Sequence, residues 1–234
     1  MLALPRVELH ASVSSTLDVA NAIAADAPSG TLILADEQTS GRGRHGRRWA
    51  SPPGAGLWLT IIERPTDARA LEVLALRCGL FAAEALDALA SGPIGVKWPN
   101  DLYVGGRKLA GVLIETRWRG TSPEWVAIGF GLNVAAPGVD GAIGLAAGTT
   151  RLGALARLAP ALRRAAAASR HLSSDELARW QGRDVAVNQR LLTPAEGSAG
   201  GITSAGELIV RRDDGTTSLH RTGSLTFANP LACS

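Results

Sequence analysis

A chain of 234 residues with 46% hydrophobic and 19% charged residues has the apolar content to bury a core, which excludes an intrinsically disordered chain. No apolar run reaches the roughly 20 residues that span a bilayer, and the first twenty positions lack the basic stretch followed by an apolar one that a secretory signal needs, so a cytoplasmic protein without membrane contact is expected. Two cysteines, Cys78 and Cys233, have no disulfide-framework or metal-ligand spacing, and a net charge of +3 is too small to argue for nucleic acid by itself.

In chain order, residues 6–10 read as a strand and 16–25 as a helix, with Ser15 and Asp18 spaced like a capping box. A β-type run follows at 31–38. Residues 39–56 are too basic and too rich in Gly and Pro for a regular element and read as a long loop. Strand character returns at 56–63, and 68–90 shows helical spacing of Leu, Val and Ala. Short β segments at 94–98, 102–104 and 108–116 come next, the last two joined across Gly105 and Gly106 as a hairpin. A strand at 124–134 and helices at 151–169 and 173–180 complete a first unit. Beyond Gly182 the pattern changes to short strands with turns at Pro194, Gly200–Gly201 and Asp213–Gly215. Hairpin-connected strands point to an α+β fold on a mixed or antiparallel sheet, with residues 1–181 as the main domain and 182–234 as a small β domain packed on it.

Lysine usage singles out one segment. Twenty-two of the 24 basic residues are arginine, and the only lysines, Lys97 and Lys108, fall within KWPNDLYVGGRKLAGVLIE (97–115). A GC-rich genome accounts for the general scarcity but not for the two survivors, which mark places where a compact ammonium is needed. Asn100 and Asp101 sit at a strand end, as turn residues or as polar groups converging on a ligand. Gly111 is either a bulge or a close approach of backbone to a ligand.

The stretch GRGRHGRRW (41–49) has the glycine spacing of a dinucleotide fingerprint, but the chain continues into Trp49, Ser51, Pro52 and Pro53, so no helix opens on its third glycine. Instead Arg42, Arg44, Arg47 and Arg48, interleaved with Gly41, Gly43 and Gly46, make a flexible loop able to close on a phosphate. A solvated basic loop or an RNA-binding segment stays open on composition alone.

Ser15-Thr16, Gln38, GRGRHGRRW, KWPNDL, KLAGVLIE and GFGLNV (129–134), in this order, resemble the catalytic domain of biotin protein ligases, and residues 223–227 resemble the end of their small SH3-like domain. The resemblance implies a class II synthetase-like catalytic domain followed by an SH3-like barrel. It also implies formation of biotinyl-5'-AMP from biotin and ATP with Mg²⁺, and transfer of the biotinyl group to a lysine of a biotin carboxyl carrier protein domain. Repressor members carry an N-terminal DNA-binding domain; the pattern here begins almost at Met1, which reads as the short form without DNA binding, with monomer and homodimer both open.

By the same resemblance Ser15, Thr16 and Gln38 bind the ureido end of biotin, where the family usually has Asn at the position of Leu17. Gly41, Arg42, Gly43, Arg44, Lys108, Gly111, Gly129 and Gly131 surround biotin. Arg42, Arg44, Arg47, Trp49, Lys97, Asn100, Lys108 and Asn133 face ATP and the adenylate. Lys108, with Arg44 and Lys97, is the implied catalytic set, and Asp101 the implied magnesium contact. A lipoate or octanoate ligase of the same fold is the rival enzyme, and a nucleic-acid binder using the Arg loop is the rival of another class.

Overall fold

Residues 4–231 are described by the structure, a computed structural model, so Cys233 lies outside the described residues. Strands β1 (Val7–Val13), β2 (Thr31–Gln38), β3 (Gly56–Glu63), β4 (Gly95–Lys97), β5 (Asp101–Val104), β6 (Arg107–Arg119) and β7 (Ser122–Asn133) form one sheet in the order β1-β2-β3-β7-β6-β5-β4. Only β1 and β2 are parallel, because helix α1 (Thr16–Ile23) carries the chain back between them; every other neighbouring pair is antiparallel. This is an α+β architecture on a mixed sheet, as the hairpin-connected pattern predicts.

Strand β3 reads GLWLTIIE and is buried at every position, since both faces of the sheet are covered. Under α1, Leu17, Ala20 and Ala24 meet Ile33, Ile62 and Ala127. The larger core on the other face joins Leu32, Leu59 and Ile61 to α3 (Leu74–Leu86) and α4 (Arg151–Ala167).

Strands β8 (Arg190–Thr193), β9 (Gly197–Ile202), β10 (Leu208–Arg211), β11 (Thr217–His220) and β12 (Thr226–Phe227) make a second sheet in the order β11-β10-β9-β8-β12. Its Leu191, Ala199, Leu208, Val210 and Leu225 belong to the same core as α3. Contact is close at Gly206 (φ +82), where a Cβ would stand 2.7 Å from Leu76 Cδ1, and the buried Trp98 indole donates to the Gly206 carbonyl at 3.0 Å.

Three local expectations change. The helix predicted over 68–90 breaks at Val73 (φ −112, ψ 5) into α2 (Ala68–Glu72) and α3, followed by a single turn of 3-10 helix; the break lets the consecutive residues Val73 and Leu74 both enter the core. Gly200 and Gly201 lie inside β9 rather than at a turn. Three steps on β9, from Ala199 to Ile202, face two on β10, from Val210 to Leu208, so the glycines supply a β-bulge. Ser15 does cap α1, accepting from Leu17 N at 3.3 Å, but Asp18 accepts from the Ser14 hydroxyl at 2.7 Å instead of closing a capping box.

A complete capping box does occur at α5 (Ser174–Gln181), between Ser173 and Glu176. Glu176 also takes two hydrogen bonds from Arg77 of α3, at 2.6 and 3.2 Å, which ties α5 to the core through a buried ion pair.

Candidate functional site

The parallel β1–β2 pair brings the start of α1 beside the end of β2, and with them three polar residues. Gln38 Oε1 accepts from Thr16 N at 2.9 Å, Thr16 Oγ1 at 3.2 Å and Ser15 Oγ at 3.4 Å. Its amide nitrogen donates to Ser51 Oγ at 2.8 Å, and Thr60 Oγ1 donates to Thr16 Oγ1 at 2.8 Å. Every one of these bonds fixes an orientation, so the group is organised before anything binds. Ser51 and Thr60 escaped the sequence reading; the signal for Thr60 is a lone hydroxyl in the otherwise apolar run of β3. Leu17, only 3% exposed, packs instead on the backbone of Gly129, where a Cβ would come within 2.9 Å of its Cδ1.

At the other end of the same cavity stands an ion pair, Lys108 Nζ to Asp101 Oδ1 at 2.8 Å, with side chains 31% and 19% exposed. A register shift between β5 and β6 sets it up. Leu102 faces Ala110 while Tyr103 faces Lys108, so Leu109 is extra, and both Leu109 and Ala110 turn to the core. That bulge returns Lys108 to the cavity side beside Gly111. Gly111 lets the pair lie close to the strand: a Cβ there would stand 3.2 Å from Asp101 Oδ1, a tight contact that the carboxylate would have to yield to, and 3.6 Å from Lys108 Cε.

Over both ends lies the arginine-glycine segment, ordered as a narrow hairpin where the sequence predicts a flexible loop. Gly43 N donates to Arg47 O at 2.7 Å and Trp49 N to Gly41 O at 2.9 Å. A 3-10 turn at Arg44–Gly46 closes the tip, with His45 at φ 56 and Gly46 at φ 71, so no helix opens on Gly46. Arg42 clasps Asp18 and Glu115, each at 3.1 Å. Arg44 reaches Asn100 Oδ1 at 3.4 Å, and burial lowers its pKa against the opposing charge of Asp101. Asn100 is held by its own bond to Val112 O at 2.6 Å. Arg47 and Arg48 are exposed.

Trp49 fills the centre. A Cβ on Gly131 would meet its Nε1 at 2.6 Å, one on Gly111 its Cζ3 at 3.5 Å, and Lys108 Nζ stands 5.1 Å from the ring. Its buried Nε1 has no hydrogen-bond partner among the described residues. With the indole seated there, about 50 Å³ stays free between Ser15, Gln38, Arg42, Asp101, Lys108 and Gly131.

On the far side of Trp49 a second cavity of about 370 Å³ is lined by Lys108, Asn133, Tyr103, Pro137, Val139 and Ala142. Asn133 is buried, and its amide nitrogen points to Ile143 O at 3.2 Å rather than outward. The loop at 137–142 is latched to β6 through Lys108 N to Gly141 O, 2.8 Å. Lys97 departs most from expectation: it lines neither cavity and is sandwiched between the rings of Tyr103 and Phe227, 5.2 and 5.1 Å from their centroids. Phe227 lies in the 223–227 stretch that resembles the end of the SH3-like domain, for which the resemblance implies no site residue.

Among the described residues no set of side chains is assembled that would hold a magnesium ion without the phosphates and waters it usually brings. Asp101 stands with Lys108 rather than with a second carboxylate, and among the described residues no group of three acidic, His or Cys side chains could hold a metal. What the geometry gives Asp101 is the orientation of the Lys108 ammonium. Among the described residues no helix is long and apolar enough to cross a membrane.

The sequence model of the biotin/lipoate A/B protein ligase family matches residues 9–133, more than half of the chain. The chain belongs to that family. The matched span runs from β1 to Asn133 and so contains the polar triad, the flap, the Asp101–Lys108 pair and the glycines of β7. Among curated relatives, the bifunctional ligase/repressor BirA of Bacillus spizizenii is 38% identical over 124 residues, 52% of this chain and 38% of that protein. The biotin--[acetyl-CoA-carboxylase] ligase of Paracoccus denitrificans is 38% identical over 114 residues, 47% of each. The matched stretch thus spans under half of these relatives' length. Among solved structures, the biotin protein ligase of Aquifex aeolicus in complex with biotin and ATP superposes with a TM-score of 0.71, covering 96% of this chain and 99% of that one, at 24% identity, a likeness of fold. The Leishmania major biotin protein ligase in complex with biotinyl-5-AMP gives 0.67 over 93% and 99%, at 25% identity.

Proposed function

We propose that the chain is an ATP-dependent biotin protein ligase, which joins biotin to AMP and passes the biotinyl group to a lysine of a biotin carboxyl carrier domain. The observation that carries this reading is one cavity with a prewired hydroxyl-amide cluster at one end and an oriented ammonium at the other, under an arginine hairpin. The cluster suits a urea, whose N–H and C=O groups need partners once buried. The ammonium suits the junction of a carboxylate and a phosphate.

In the first step a biotin carboxylate oxygen bonds to the α-phosphorus of ATP and the bond to pyrophosphate breaks. Lys108 offsets the negative charge gathering there, Asp101 holds Lys108 on line, and Arg42 and Arg44 close over the product. ATP enters beside Trp49 and Asn133, where Trp49 and the aliphatic Val139 and Ala142 are the surfaces on offer to adenine. Arg47 and Lys97 are the more distant cations. Magnesium arrives with the phosphates of ATP. In the second step the acceptor amine attacks the acyl carbon, an amide forms, AMP leaves with the bonding pair and the amine loses a proton. For the rest the enzyme keeps water away from the mixed anhydride until the acceptor docks. Residues 1–181 are the catalytic unit in this reading and 182–234 the appended β unit.

Incubating the protein with ATP, Mg²⁺, biotin and a carrier domain, and weighing the carrier, tests the proposal: the mass should rise by one biotinyl group. Labelled pyrophosphate exchange driven by lipoate or octanoate but not by biotin would replace it with the rival ligase activity.

A further inference from the structure

Lys97 ends β4, the outer strand of the large sheet, whereas Phe227 ends β12, the outer strand of the small one. The two meet at an ammonium. Lys97 Nζ lies 5.1 Å from the Phe227 ring centroid and 5.2 Å from that of Tyr103, and donates to the Tyr103 hydroxyl at 3.4 Å. Both partners are fixed from behind. Phe227 pairs with Leu191, and the next residue, Ala228, donates to Arg190 O at 2.9 Å. Lys97 follows Val96, which exchanges backbone bonds with Arg183 and Val185 at 2.8 and 3.0 Å.

Such an ammonium between two aromatic faces is held in place by the negative potential of the rings, an attraction that strengthens as water is excluded. Burial is the largest influence on the Lys97 pKa and lowers it; of the charged groups besides the rings, Lys108 and Arg47 act in the same direction and Asp101, which favours the ammonium, acts against them. An unclamped lysine stem would be free to swing toward solvent.

We propose that Phe227 is a positioning residue for nucleotide binding: from the small sheet it holds the Lys97 ammonium against Tyr103, a wall of the cavity proposed for ATP, so that a cation next to that cavity depends on the C-terminal strand. This rests on the ligase reading above, in which Lys97 is a more distant cation for ATP. It gives the small sheet a task in the first half-reaction.

The chain has only two lysines, which makes the test direct. With ¹³C-labelled lysine, two side-chain Cε signals are expected, and Lys108→Arg identifies the one from Lys97. Ring currents should displace that signal upfield. Phe227→Leu, which keeps apolar bulk but removes the ring, should return it part of the way, and Phe227→Tyr should retain the displacement. In biotin-dependent pyrophosphate exchange, Phe227→Leu should raise KM for ATP about fivefold, with kcat little changed and KM for biotin unmoved, and Phe227→Tyr should restore it. An unchanged Lys97 signal in Phe227→Leu overturns the clamp. A moved signal with unchanged KM for ATP overturns its role in nucleotide binding. If the unaltered protein shows no exchange with biotin, the ligase reading and the nucleotide role fall together, while the signal still decides whether the clamp exists.

Discussion

Replacing Lys108 by Met keeps most of the stem and deletes the ammonium, which isolates the charge. Two unit charges about 4 Å apart interact by about 4 kcal/mol at an effective dielectric of about 20, and Lys108 is about one-third exposed, so about 3 kcal/mol of transition-state stabilisation is a reasonable share. In the proposed reaction that is a loss of about 10²-fold in adenylate formation, in the range found when a single preorganised donor is removed. The substitution does more than subtract a charge, because Asp101, 2.8 Å away, is left facing the phosphates. Repulsion over about 6 Å at an effective dielectric of about 40 adds about 1.4 kcal/mol, another factor of about ten. Lys108→Met should therefore fall about 10³-fold, and Lys108→Met with Asp101→Asn should recover about tenfold. Biotin-dependent pyrophosphate exchange measures both. A double variant no faster than the single one refutes the view that Asp101 acts through Lys108.

Stability offers further tests. Arg77→Met strands the buried Glu176 carboxylate, and breaking such a pair from one side costs about 3–5 kcal/mol, visible as a lowered urea midpoint with an unchanged slope. Asp184 is buried and its pKa is pushed up to about 6. The folded state therefore keeps this proton to higher pH than the unfolded chain, and stability through this group is full below about pH 4 and falls as pH rises toward 6. Asp184→Asn should remove that downward slope, and parallel stability–pH curves would contradict it. Gly131→Ala should force the Trp49 indole off its seat, since the new Cβ would lie 2.6 Å from Nε1; a change in tryptophan emission or quenching reports it, and an unaltered spectrum would mean that the backbone yields instead.

The large sheet was legible because its strands carry apolar periodicity and its turns carry Gly pairs such as Gly105-Gly106, both local signals. The candidate site was legible in part as a set of residues, since Lys108 and the Arg-Gly run stand out by type, while Lys97 stands out equally and lines neither cavity. Its geometry was not. That Lys108 meets Asp101 depends on one extra residue at Leu109, and no composition announces a bulge. Trp49 seated on Gly111 and Gly131 depends on strands β6 and β7 pairing in register with each other. Lys97 was read by its charge, yet its position is decided by Phe227, 130 positions away in the chain, a contact that exists only once two sheets share a core. The helix break at Val73 likewise answers to tertiary burial, which outweighs a helical pattern that is continuous in sequence.

Because the indole of Trp49 leaves only about 50 Å³ free in the cavity beneath the hairpin, the acid of the proposed reaction cannot simply diffuse into it. Arrival becomes a two-stage event, a swing of the hairpin that vacates the seat followed by capture. Observed association rates should climb with biotin concentration and then level off at the frequency of the swing, and cutting the Arg42 clasp to Asp18 and Glu115 should raise that plateau.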